Sequence, residues 1–244
     1  METMRRFTKH PALRIAVIAL LTLGSAAISV ASVGYFDDET WPAFVVEKLP
    51  LSSARIEEFW LLALQVHVVA AAVSLPGCLL LISRLVLRRF PRVHRWLGRV
   101  VGVVVLFSLV PTGLFMALFA KGGFVSGLGF AVSGVIVFVC MVRGIQTARA
   151  CRFVEHRRQM VHVLAQLSVA VTSRLLMIAF DVVGIDADSA YLIALWLPVI
   201  GSALIVEGLL PRATNLDLSR SLHAAFRRRL SHALAQPRLL SDRR

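Results

Sequence analysis

"RFPRVHRWLGRV", residues 89–100, places four arginines and a histidine between two long apolar runs, and "RFVEHRRQMVHV", residues 152–163, does much the same between the next two. Basic turns alternating with apolar stretches are the pattern of a chain that threads a bilayer. About 20 helical residues at 1.5 Å each cross a hydrocarbon core of roughly 30 Å. Six such stretches run at 12–34, 59–82, 97–120, 124–142, 160–183 and 191–210. Hydrophobic residues are 57% of the 244 and charged residues 17%, and the apolar positions come in blocks rather than at spacings that leave a polar face. The expected fold is all-α: a polytopic membrane helix bundle of six transmembrane helices. The first stretch follows Arg5, Arg6 and Lys9 as a secretory signal would. It is longer than the usual apolar region of such signals, which favours a retained helix.

Position explains the formal net charge of +13. Lys and Arg fall in the amino-terminal tail, in the turn holding Arg84, Arg88, Arg89, Arg92, Arg95 and Arg99, in the turn holding Arg143, Arg149, Arg152, Arg157 and Arg158, and in the carboxy-terminal tail. These segments share one side of the membrane. The opposite loops carry Lys48, Arg55 and Lys121 among the acids Asp37, Asp38, Glu39, Glu47, Glu57, Glu58, Asp186 and Asp188. Because Lys and Arg in short loops set orientation, both termini are expected in the cytoplasm. A nucleic-acid partner would not require charge sorted by loop parity, so none is expected. The partners implied are the lipid bilayer and anionic lipid headgroups at the cytoplasmic arginines, and a homo-oligomer or a partner membrane subunit is left open. Cys78, Cys140 and Cys151 fall on the reducing side, so no disulfide is expected.

One transmembrane domain is expected over residues 1–211, followed at 212–244 by a basic amphipathic tail. In that tail Leu218, Leu222, Ala225, Phe226, Leu230 and Leu234 form an apolar stripe beside Arg220, Arg227, Arg228 and Arg229. The turn "KGGFVSG" at 121–127 predicts a tight antiparallel pair of the third and fourth helices. Small residues at Gly98 and Gly102, at Ser25, Ser29 and Ser32, and at Gly127, Ala131 and Gly134 predict close helix packing. Pro76, Pro111 and Pro198 interrupt three helices, and are read as shaping the bundle rather than opening a cavity.

Aligning Arg89-Phe90 with Arg152-Phe153 brings His94-Arg95 within one residue of His156-Arg157, as two comparable hairpins would. "HRWLGR" at 94–99, "HRRQM" at 156–160 and "AVTSRL" at 170–175 together resemble an uncharacterised bacterial membrane family, domain of unknown function 2306. His67, His94, Arg95, Gly98, Arg99, His156, Arg157, Met160 and Arg174 match that family's pattern, while Gln159 stands where it usually has tryptophan. The resemblance covers about residues 55–180, implies a bacterial cytoplasmic membrane, and brings no established activity.

The histidines and the buried charges give two candidate sites. Bis-histidine ligation needs two imidazoles at one depth on facing helices, and His94 and His156 meet the depth condition, with Arg95, Arg99 and Arg157 available to propionates. On the other side, His67 and Arg174 lie at similar depth. His67, Ser74, Arg174 and Asp181 would line an outward-opening cavity for an anion or a quinone if the second and fifth helices touch. His162, Gln166 and Glu207 are expected to form a closed hydrogen-bonded set. The first functional reading is therefore binding of a redox ligand, haem b or a quinone, in a four-helix core. A small-anion or proton transporter and a non-catalytic membrane subunit or sensor are the alternatives. No metal site and no soluble-enzyme signature is read, and whether the chain is an enzyme stays open.

Overall fold

The computed structural model describes residues 11–37, 41, 43–49, 51 and 53–209. The amphipathic tail expected at 212–244 lies outside these residues. Six helices among them are long and apolar enough to cross a membrane. In chain order the elements are α1 (Pro11–Ala31), continued by a 3-10 turn over Ser32–Phe36, the short α2 (Ala43–Lys48), α3 (Ala54–Ile82), the short α4 (Arg84–Arg89), α5 (Pro91–Ala117), α6 (Gly123–Arg149), α7 (Phe153–Val183) and α8 (Ala187–Leu209). The all-α, six-span expectation holds.

Several helices begin earlier than their apolar runs. The Ser53 hydroxyl caps α3 by accepting from the Ile56 amide, and Pro91 opens α5, where its missing N–H costs nothing. The histidine-arginine stretches are consequently the first turns of α5 and α7 rather than loops. Asp186 similarly precedes α8 and accepts from the Ser189 and Asp188 amides at 3.0 and 3.2 Å. Those bonds hold its carboxyl below the usual range.

α3, α5, α6 and α7 close a four-membered ring, each touching the next, so that α5 and α7 face each other diagonally. Every one of the four feeds the central cluster: Ala70 and Cys78 from α3, Val101, Val105, Leu109 and Val110 from α5, Val137 and Met141 from α6, and Val163 from α7. α1 lies outside this ring, where Leu21 joins Leu75, Leu79 and Val171 in a second cluster. α8 packs on α6 and α7 through Leu195 and Val199 against Val169. The small residues act where expected. A Cβ on Gly102 would touch Ile145 and Met141, and one on Gly134 would press on Leu114 at 3.1 Å.

The up-and-down order sorts charge by end. The end carrying Arg88, Arg89, Arg92, Arg95, Arg99, Arg149 and Arg152 is basic, and the other carries Glu47, Glu57, Asp186 and Asp188. At the acidic end α2 caps the bundle through Val45, packed with Trp60 and Leu64. Glu47 reaches Lys121 in the α5–α6 turn at 2.9 Å, and this hydrogen-bonded pairing raises the lysine's affinity for its proton. The three cysteines are free thiols.

Candidate functional site

α5 is not a continuous α-helix. Residues Val105–Leu109 form a π-turn, with Pro111 two residues beyond. A π-turn inserts an extra residue and leaves carbonyls without their usual amide partners, which in hydrocarbon must be satisfied by side chains. His67 of α3 does this. Its Nδ1 lies 3.1 Å from the Leu109 carbonyl and 3.2 Å from Thr112 Oγ1, while the Thr112 hydroxyl donates to the Ser108 carbonyl at 2.6 Å. The threonine proton has backbone acceptors at Ser108, 2.6 Å away, and at Leu109, 3.2 Å away, so both neighbours of Nδ1 serve as acceptors. The network therefore assigns the proton of the neutral ring to Nδ1. Gly113 makes the room, since a Cβ there would sit 3.0 Å from His67 Cε1.

The four side chains expected to share an outward cavity have different surroundings. α3 and α7 do touch, the condition set for that cavity. Their contact is apolar, however, with Val171 against Leu75 and Leu79. His67 turns to α5, and Ser74 is fully buried in its own helix face. Arg174 is exposed and donates to the Ala170 carbonyl one turn back at 2.8 Å, and Asp181 is exposed. Replacing His67 with leucine is expected to lower stability by about 1 kcal/mol, because the Leu109 carbonyl loses one of its two side-chain donors and keeps only the Thr112 hydroxyl, at 3.2 Å, where no water can substitute. Thr112→Val in that background should add little. Unfolding in mixed micelles measures both, and an unchanged His67→Leu midpoint would remove the histidine from the support of the π-turn.

At the basic end stand His94 and His156. Their imidazoles, from α5 and α7, lie within electrostatic reach of each other. His156 Nδ1 is 2.8 Å from the Gly144 carbonyl, an acceptor only, so Nδ1 carries a proton and in the neutral ring the lone pair is on Nε2. A Cβ on Gly144 would meet Met160 Cε, the mobile end of that side chain, so the methionine packs directly on the glycine. The histidine and methionine of "HRRQM" thus both close on one glycine of α6. His94 lies against the Leu81 carbonyl of α3, and its Nδ1 is buried without a hydrogen-bond partner among the described residues.

The arginines divide differently from the sequence expectation. Arg95 and Arg99 stand with Arg92 at helical spacing on the outer face of α5, where with Trp96 they line an open hollow of about 660 Å³. His94 is two residues on from Arg92, about 200° around the helix, and faces the bundle. Arg157 follows His156 in α7 and is exposed.

The set expected of His162, Gln166 and Glu207 forms as two adjoining networks. His162 Nε2 meets Glu207 Oε1 at 3.0 Å, and Glu207 also pairs with Arg158. One turn deeper, Gln166 bonds instead to Val199, Ser202 and Ser133. The line is closed beyond by Val169, Leu195 and Val199. Sequence reasoning missed Arg158, Ser133 and Ser202, although Arg158, His162 and Gln166 recur at the four-residue spacing of one helix face.

A family model described as "Predicted membrane protein (DUF2306)" matches residues 64–210. The chain belongs to this family. The match extends beyond the resemblance read from the motifs, since it runs through α8 as well as the four-helix ring. No curated protein and no solved structure matches the chain. The DUF2306 region therefore contains His67, the His94–His156 pair and both α7–α8 networks, and leaves α1 and α2 outside it.

Proposed function

We propose that this multi-pass membrane protein binds a redox ligand in its four-helix core, and that the ligand is haem b held between His94 and His156. The observation that carries the reading is the orientation of His156. Its Nδ1 proton is given to the Gly144 carbonyl, the arrangement that fixes a metal-binding imidazole and leaves Nε2 as the ligand atom. His94 supplies the second imidazole from the diagonally opposed helix, and its buried Nδ1 is a polar atom in need of a partner. Two histidines would supply what haem requires from the protein, a smaller set than the groups of three or more potential metal ligands that are absent among the described residues. Arg157 is the guanidinium left for a propionate. A quinone accepting hydrogen bonds would use the same nitrogens in their protonated state.

The test is the visible spectrum of protein purified in detergent and titrated with haemin. A Soret band at one haem per chain is expected, lost in His94→Ala and in His156→Ala and kept in Arg95→Gln. A protein that stays colourless through the titration, or one whose band survives both histidine changes, overturns the reading.

A further inference from the structure

The arginines turned away from the histidine pair make a site of their own. We infer that the hollow lined by Arg92, Arg95, Trp96 and Arg99 is a binding site for one anionic phospholipid, its phosphate held by the three guanidiniums and its acyl chains laid along α5. The four residues share the spacing of a single helix face, and all four are exposed, Trp96 at 65%. None of the ion pairs formed among the described residues engages the three arginines. Three like charges on adjacent turns repel one another, so an anion between them relieves a cost as well as gaining attraction.

The continuation of the same face into the membrane selects a lipid over a soluble phosphate. One and two turns deeper in the span stand Val103 and Phe107, exposed at 57% and 75%. The face thus changes from three guanidiniums with one indole among them to hydrocarbon over four turns of helix, as a phospholipid changes from phosphate to acyl chain at the headgroup boundary. Trp96 immediately precedes the apolar run 97–120, at the interface depth where an indole is most stable. This site is independent of the histidine pair, which lies on the other side of α5.

Quenching of Trp96 fluorescence by lipids brominated on their acyl chains tests the inference in detergent-solubilised full-length protein, with Trp96→Phe supplying the background. Brominated phosphatidylglycerol is expected to half-quench at a concentration at least tenfold below that of brominated phosphatidylcholine. The triple change Arg92→Gln, Arg95→Gln, Arg99→Gln should raise the phosphatidylglycerol value to that of phosphatidylcholine, a loss of between tenfold and about a hundredfold at roughly fivefold per charge. Arg149→Gln, on the neighbouring basic turn, should change neither. The triple lysine variant keeps the charge and should retain the preference for phosphatidylglycerol, which separates loss of the site from loss of the fold. Equal quenching by the two lipids, an unaffected glutamine variant, or a lysine variant as impaired as the glutamine one overturns the inference. Displacement of the lipid by millimolar inorganic phosphate does so too, because it assigns the hollow to the free anion.

Discussion

Gly127→Ala is expected to destabilise the bundle by about 2 kcal/mol, within the usual cost of overpacking a close helix contact. A Cβ at this position would lie 2.5 Å from the Ala117 carbonyl oxygen. The obstacle is backbone, and it is not free to withdraw. The same carbonyl accepts from the Ala120 amide at 3.3 Å in the turn that joins α5 to α6. That turn is itself constrained, since Gly122 and Gly123 adopt φ of 79° and 67°. Relief therefore requires the two helices to part at the acidic end, next to the cap formed by α2. Gly201→Ala is the matched control, because nothing lies within 4 Å of a Cβ there and alanine is the better helix former. Thermal unfolding of both variants in one detergent gives the comparison. Equal midpoints for Gly127→Ala and Gly201→Ala would mean that the hairpin tolerates separation and that the close approach contributes nothing.

That contact was legible in the sequence, and the reason shows what else was. Lipid offers no hydrophobic drive for helix association, so small residues at helical spacing beside a glycine-rich turn have few uses other than close packing. Length and hydropathy likewise sufficed for six spans, because the hydrocarbon core sets the number of apolar residues. Hydropathy is blind to helix outside that core, which is why α5 and α7 start at Pro91 and Phe153, ahead of their apolar runs. The site was legible only in one coordinate. Residue counting placed His94 beside His156 and His67 near Arg174 in depth, but depth says nothing of azimuth. α3 borders both α5 and α7, and His67 faces the former. The π-turn that draws it there has no sequence signature beyond Pro111, Thr112 and Gly113 standing together. Azimuth was available for the arginines, whose positions at 92, 95 and 99 share a face that 94 does not.

Gln166→Leu should cost about 2 kcal/mol and act chiefly on α8. Gln166 is 3% exposed and uses three of the four hydrogen bonds its amide can make. Nε2 donates to the Val199 carbonyl and to Ser202 Oγ, both at 3.0 Å, and Oε1 accepts from Ser133 Oγ at 2.9 Å. One side chain on α7 thereby fastens α6 on one side and α8 on the other. Interhelical hydrogen bonds in membranes average about 0.6 kcal/mol and reach about 1.7 kcal/mol, so three that share one buried amide sum to roughly 2 kcal/mol. Leucine preserves volume and apolarity, which isolates the loss of bonding from the opening of a cavity. Ser133→Ala alone should cost less than half as much, and in the Gln166→Leu background it should cost nothing further, because its only bonded partner in the network is already gone. Hydrogen exchange should rise along 195–207 in Gln166→Leu while the α3–α5 contact stays protected. If Ser133→Ala and Gln166→Leu prove additive, the two side chains act independently and α8 is held by the Leu195 and Val199 packing alone. An interaction energy near the single-mutant cost of Ser133→Ala makes Gln166 the tie between the four-helix ring and its sixth span.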